Sequence, residues 1–212
     1  MKVTKFEHSC LVVDQSNDTL IIDPGSFTMP LNHVRKVVAI VITHEHPDHW
    51  TPEQLRRILD VNSNAVIFGP AGVAAAAADF DITVVAAGDV HEVGEFTLRF
   101  FGGRHAEIHR SIPIIDNVGV LVNDELYYAG DSFHIPEGID IPTLAVPAGA
   151  PWLKISEVID YVTAIAPKRS FPVHEMVLSV AGKAMANDRI KAATELGGGS
   201  FFALDPGQTI DL

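Results

Sequence analysis

Short apolar runs broken by turn residues dominate the start of this chain. VTKF, CLVV and TLIID have the β-branched, strand-like character of half-buried extended segments, and Asp14 to Asp18 supplies a turn between the last two. VVAIVIT (37–43) lacks alternation altogether, which predicts a strand covered on both faces. Thr51-Pro52-Glu53-Gln54 predicts a helix start. Thr51 is the N-cap, Pro52 takes the first helical position, where a missing N–H costs nothing, and Gln54 is placed to close a capping box. That helix runs to about Asp60. A strand at AVIFG, an Ala-rich helix from about Pro70 to Ala78 and a strand at ITVVA follow.

The second half has the same style without a residue-level repeat. EFTLRFF alternates like a strand with one exposed face, NVGVLV and ELYYAG form a predicted hairpin around Asn123-Asp124, and TLAVPA reads as a buried strand. Apolar residues at 155, 158, 159, 162 and 165 form a helical stripe within Ile155 to Ala166. SFPVH is another short strand, and Gly182 to Leu196 another helix, ending in glycines. No linker or low-complexity segment divides the chain, so residues 1–212 are expected to form one layered α/β (α+β) domain.

Composition narrows the function. A hydrophobic fraction of 47% with 20% charged residues belongs to a globular protein with a proper core. A formal net charge of -12 argues against a nucleic-acid partner, because neutralising phosphates needs Lys and Arg. A small anionic substrate, which answers only to local charge, stays open. One cysteine, Cys10, leaves no intramolecular disulfide and no thiolate metal cluster. MKVTKFEHSC lacks the apolar stretch of a signal peptide, and no run is long enough to span a membrane, so a cytoplasmic, membrane-free protein is expected. A homo-oligomer remains open.

Against this background one stretch stands out. VITHEHPDHW (41–50) packs three histidines and an aspartate into six positions just after a run of β-formers. Imidazole is the commonest protein metal ligand, and a carboxylate among imidazoles suits zinc, manganese, iron or nickel. His44 and His46 can share a strand face at period two, leaving Asp48 and His49 in the turn beyond, an arrangement that suits two adjacent metals better than one. Further ligands should then lie at other strand ends. His105 follows EFTLRFF and two glycines, Asp131 follows the hairpin strand in YAGDS, and His174 ends SFPVH. His8 also lies just past a strand, whereas His33, His91, His109 and His134 lack this combination.

His44-x-His46-x-Asp48-His49, followed by His105, Asp131 and His174, resembles the five-motif ligand set of the metallo-β-lactamase superfamily. Asp23 in IIDPG resembles its first motif, an aspartate that usually supports ligands without being one. HSCLVV, the GDS form of the fourth motif and the PGQTIDL ending resemble the compact group that includes ascorbate-phosphate lactonases.

The resemblance implies a four-layer αββα sandwich with two divalent ions at one edge, zinc first among the candidates. His44, His46 and His105 would hold one ion, Asp48, His49 and His174 the other, and Asp131 would bridge. It implies hydrolysis by hydroxide generated between the ions, with Asp48 and Asp131 as the catalytic carboxylates and a small, anionic ester, lactone or phosphoester as substrate. A non-catalytic metal-binding or sensor protein on the same fold is the alternative. No extra helical, flavin or RNA-binding domain is expected at this length.

Four residues carry open readings. Asp23 either caps the Pro24-Gly25 turn or orients a ligand. His8 is a hydrogen-bonded histidine at the site edge or a substrate contact. Arg104 and Arg110, bracketing His105, either meet an anionic substrate or solvate a loop. Phe27, Trp50, Phe133, His134, Trp152 and Met176 flank the motifs as core residues or pocket lining.

Overall fold

The first apolar runs form an antiparallel meander in the computed structural model, which describes residues 1–212. Its strands are β1 (Lys2–Lys5), β2 (Leu11–Gln15) and β3 (Asp18–Ile22). β4 (Val37–Val41), β5 (Val66–Gly69) and β6 (Ile82–Val84) extend that sheet in parallel, with α1 (Pro52–Leu59) and α2 (Ala71–Ala76) as the connections. A second sheet is built from β7 (Val90–Val93), β8 (Phe96–Gly102), β9 (Val118–Val122), β10 (Leu126–Tyr128), β11 (Thr143–Pro147), β12 (Arg169–Val173) and β13 (Ser200–Phe201). α3 (Ile155–Ile165) and α4 (Val180–Leu196) flank β12, and β14 (Thr209–Asp211) returns to pair with β1.

Burial follows from this layering. Val3, Leu11, Val13, Leu20 and Val41 of the first sheet pack against Phe96, Leu98, Phe100, Val120 and Phe171 of the second. The outer face of the first sheet (Val12, Ile21, Ile40) is covered by Leu55 and Ile58 of α1 and Val73 of α2. Leu121, Tyr127, Leu144 and Val146 of the second sheet take Val158 and Val162 of α3 and Ile190 of α4. The order is helix, sheet, sheet, helix, the predicted αββα sandwich. Central strands are buried on both faces, which is why VVAIV and TLAVP show no alternation.

Local signals account for most elements. The hairpin between β9 and β10 turns on Asn123 and Asp124, both at φ 51°, a left-handed pair that these residue types tolerate. Thr51 caps α1, its hydroxyl accepting the Gln54 N–H at 3.2 Å.

Several expectations need correction. Gln54 does not close a capping box: its amide reaches the preceding loop, accepting from Leu31 N–H and donating to the carbonyls of Thr28 and Met29. α4 begins at Val180 behind an N-cap at Ser179, two residues earlier than Gly182 suggested. β7, β13 and β14 are absent from the sequence reading because they are short or largely polar and held by their neighbours. β4 stops at Val41, so His44 and His46 do not share a strand face. Thr43 turns its N–H away from the ladder to Asp23 Oδ1 at 2.8 Å.

That departure positions the site. β3 and β4 run in parallel, and β8, β10 and β12 run in one direction in the other sheet. Their C-terminal ends meet at one edge, where Val118 N–H donates to the Thr43 carbonyl across the two sheets. No helix is long and apolar enough to cross a membrane.

Candidate metal centre

Six segments deliver their first residues past a strand to this edge: His8 after β1, Asp23 after β3, His44 to His49 after β4, His105 after β8, Asp131 after β10 and His174 after β12. Three of them, His8, Asp23 and His174, adopt left-handed φ values of 62°, 49° and 59°, a conformation non-glycine residues adopt only where their surroundings enforce it. At Gly25 no side chain is possible, since a Cβ would run into the Asp48 carbonyl. The Asp23 turn is thereby pressed against the Pro47-Asp48 backbone, with Ser26 N–H on the Pro47 carbonyl at 2.9 Å.

Asp23 is fully buried and organises two of the histidines. Its carboxylate accepts His49 Nδ1–H at 2.6 Å, Thr43 N–H at 2.8 Å and the Thr43 hydroxyl at 2.7 Å. Because that hydroxyl hydrogen is committed to Asp23, the 3.1 Å contact between Thr43 Oγ1 and His44 Nδ1 has the ring as donor. His105 Nδ1 donates to the Ala106 carbonyl at 2.6 Å, and His174 Nδ1 to the Gly149 carbonyl at 2.7 Å. Four rings thus engage Nδ1 outward, as a donor, and turn Nε2 inward.

Those four Nε2 atoms are buried and have no hydrogen-bond partner, and neither has Asp131 Oδ1. They surround the Asp131 carboxylate, at 3.1 Å for His174, 3.3 Å for His49, 3.4 Å for His105 and 4.0 Å for His44. A buried polar atom without a partner costs about 1–3 kcal/mol, and five in one place is not a packing accident. Divalent cations at this position would satisfy all of them at once, so the residues fit the group.

Ligating atoms fall into three sets whose members lie within 4.8 Å of one another: His44, His46 and His105; His8, Asp48, His49 and His174; and His44, His49 and Asp131. The third set shares His44 with the first and His49 with the second, which puts Asp131 beside both. Its position is fixed from outside: its N–H donates to Asn117 Oδ1 at 3.0 Å, and Trp152 Nε1–H donates to its Oδ2 at 2.8 Å.

Electrostatics sharpen the picture. Burial pushes the Asp131 carboxyl up, but His49 and His174 outweigh this and hold it well below the usual range. For Asp48, burial is likewise overcome by His174, whose Nε2 lies 3.6 Å away, and by the 3.1 Å hydrogen bond with His8, so it stays ionised. Burial alone would lower His174, yet Asp131 beside it raises it to about 9; Asp131 and Asp23 raise His49 in the same way. The cluster has an excess of buried negative charge that is met by protons or by metal cations in competition. His8 goes the other way, lowered to about 4 by burial despite Asp48, and is neutral.

The remaining candidates are dispersed as follows. Arg104 and Arg110 are both exposed on the loop around His105 and make no ion pair. Phe27 meets His8 edge-on, Met176 N–H donates to His8 Nδ1, and Phe133 packs on Trp152. Trp50 donates to the Glu45 carbonyl and is core, and His134 is exposed outside the cluster. The sequence reading missed Thr43, Asn117 and the buried Lys5–Glu175 pair, Nζ to Oε1 2.6 Å, next to His174. Only the alternation of Val3 and Lys5 onto one buried face could have exposed the last.

Comparison with known proteins agrees with this architecture. A family model described as the beta-lactamase superfamily domain matches residues 2–174. Protein Rv0786c of Mycobacterium tuberculosis is 36% identical over 199 residues, covering 92% of this chain and 93% of its own. Among solved structures, Igni18, a metallo hydrolase of Ignicoccus hospitalis, superposes with a TM-score of 0.73 at 17% identity, covering 99% of this chain and 97% of its own. CmlA, a diiron beta-hydroxylase of Streptomyces venezuelae, gives a TM-score of 0.78 at 15% identity, with this chain spanning 54% of that protein. The chain belongs to the beta-lactamase superfamily and has its metal-centre fold, the αββα sandwich of the metallo-β-lactamases.

Proposed function

We propose that this protein is a metal-dependent hydrolase with two divalent cations, His44, His46 and His105 holding one, Asp48, His49 and His174 the other, and Asp131 between them. The observation that carries the reading is the set of four buried imidazoles with Nδ1 engaged outward and Nε2 turned inward, without a hydrogen-bond partner, around one ionised carboxylate. When bound, a pair of divalent cations acidifies water and offsets negative charge developing on an oxyanion. Asp23 and the carbonyls of Ala106 and Gly149 keep the rings from rotating, and so keep the site ready without reorganisation. Asp48, with a quarter of its side chain exposed, is the carboxylate of the set nearest solvent and the one we assign to relay a proton between water and a leaving group. Zinc suits the imidazole-carboxylate set, as do manganese, iron and nickel.

The substrate we propose is a small, anionic ester, lactone or phosphoester, of the kind handled by the ascorbate-phosphate-lactonase-like group. Two features support it. Arg104 and Arg110 offer local positive charge without internal partners in an acidic chain. A cavity of about 410 Å³ beside Trp152 and Ala106 has the size for a small molecule; its wall carries Glu107 and Glu157 as well as Lys154, so the case for an anionic substrate rests on the two arginines. Chelator-stripped protein refilled with each metal and assayed against lactones, phosphodiesters, thioesters and β-lactams tests the proposal. Turnover restored by metal supports it, and ligand binding with no turnover in any metal form would mean a sensor instead.

A further inference from the structure

His8 satisfies the distance requirement for a metal ligand, since its ring lies within 4.8 Å of the ligating atoms of Asp48, His49 and His174. Its hydrogen bonds contradict that role. Nδ1 accepts the backbone N–H of Met176 at 3.3 Å, so the single proton of the neutral ring sits on Nε2 and is donated to Asp48 Oδ2 at 3.1 Å. Ligation through Nε2 would move the proton to Nδ1, where it would face another N–H. The four inward-facing histidines carry the opposite tautomer.

We infer that His8 is a positioning residue, whose Nε2–H holds the Asp48 carboxylate in place for the cation shared with His49 and His174. Asp48 needs such a hold. Its side chain is 26% exposed, against 4% for Asp131, and no indole N–H grips its carboxylate as Trp152 grips that of Asp131. His8 is suited to provide it. The residue is fully buried, Phe27 closes it edge-on at 4.9 Å, and the His174 ring lies 3.9 Å away between centroids. Its carbonyl also accepts the His174 N–H at 2.9 Å, so one residue ties two members of the same cation position together. The His44, His46 and His105 position lacks any contact with it. His8 therefore sets the affinity of one cation and not of the other. This inference rests on the two-cation reading above.

Stepwise zinc binding, measured by competition with a chromophoric chelator, tests it in the native chain, His8→Phe and His8→Gln. His8→Phe keeps a flat ring and loses the donor; we expect one of the two zinc constants to fall by about ten- to hundredfold and the other to hold. His8→Gln places an amide N–H where Nε2–H stood and should recover most of the loss. Equal constants in His8→Phe and the native chain would overturn the inference while leaving two-cation binding intact, as would a His8→Gln as weak as His8→Phe, the mark of a true imidazole ligand. A native chain that takes up one zinc only overturns the two-cation reading and this inference together. Nitrogen-15 NMR of the native zinc-loaded protein gives a check without variants. The His8 proton should be on Nε2, and finding it on Nδ1 refutes the assignment.

Discussion

Trp152 donates its indole N–H to Oδ2 of Asp131 across 2.8 Å, and its ring also meets His105 and His174 edge-on, with centroids 6.0 and 6.3 Å away. One side chain from the loop between β11 and α3 therefore braces the shared carboxylate and one histidine from each proposed cation position. Trp152→Phe removes the donor and keeps an aromatic ring. A buried hydrogen bond to a charged group contributes about 1.5–3 kcal/mol, so chemical denaturation of the cation-free variant should show a loss of that size with the fold retained. A loss below ~0.5 kcal/mol, the usual range for surface substitutions, would mean the bond does not constrain Asp131.

Asp131→Asn keeps the shape of the carboxylate and removes its charge from the middle of four imidazoles. Turnover should fall by at least about a hundredfold, the scale of losing one charge-stabilising group, and fewer than two cations should remain bound. Circular dichroism should be native, because β9 and β10 pair through their backbones. His33→Ala, exposed and remote from every motif residue, should leave activity unchanged. Equal activity in the two variants would remove Asp131 from the chemistry.

Proton release should accompany metal uptake. Asp131 and Asp23 raise His49, and Asp131 raises His174 to about 9, above the ordinary 6.5 of a free histidine. A raised folded pKa gives the cation-free chain stability that is fully present below pH 6.5 and lost as the pH rises through about 9. Cations displace those protons, so zinc titrated calorimetrically at pH 7.5 in buffers of different ionisation enthalpy should show release, fading as the pH passes about 9. Buffer-independent heats at pH 7.5 would show the rings already unprotonated at Nε2.

Arg104 and Arg110 provide the test of substrate charge. Replacing both with glutamine should raise KM more than it lowers kcat, the signature of binding lost equally from ground and transition states. An unchanged KM for the best substrate would refute the anionic-substrate proposal without touching the metal centre.

Much of this was legible in the chain because metal chemistry demands particular side chains at strand ends. HEHPDH, His105, Asp131 and His174 announce themselves by residue type and by the β runs before them, and the structure brings all seven residues into one cluster. The layering was legible too, since unalternating, β-branched VVAIV and TLAVP suggest strands covered on both faces, and the structure has them so. What escaped depends on partners far along the chain. Lys5 is a strand residue like any other until Glu175 arrives beside it, 170 positions away. Gln54 fits a capping box perfectly well by spacing, but three backbone groups of residues 28–31 compete for its amide and win. Trp152 reads as an ordinary core aromatic, and no local pattern shows that its N–H faces Asp131. His8 is the sharpest case, because only the Met176 N–H, which no spacing rule predicts, decides which nitrogen bears the proton.

The central claim is a centre of two cations with divided ligand sets, and anomalous-scattering crystallography of the zinc-refilled chain tests it most directly. Two peaks should appear, one against the Nε2 side of His44 and His105 with His46, the other against Asp48, His49 and His174, with Asp131 between them and the His8 ring outside both coordination shells. A single peak at full zinc saturation, with Asp48 and His174 unliganded, would contradict the account.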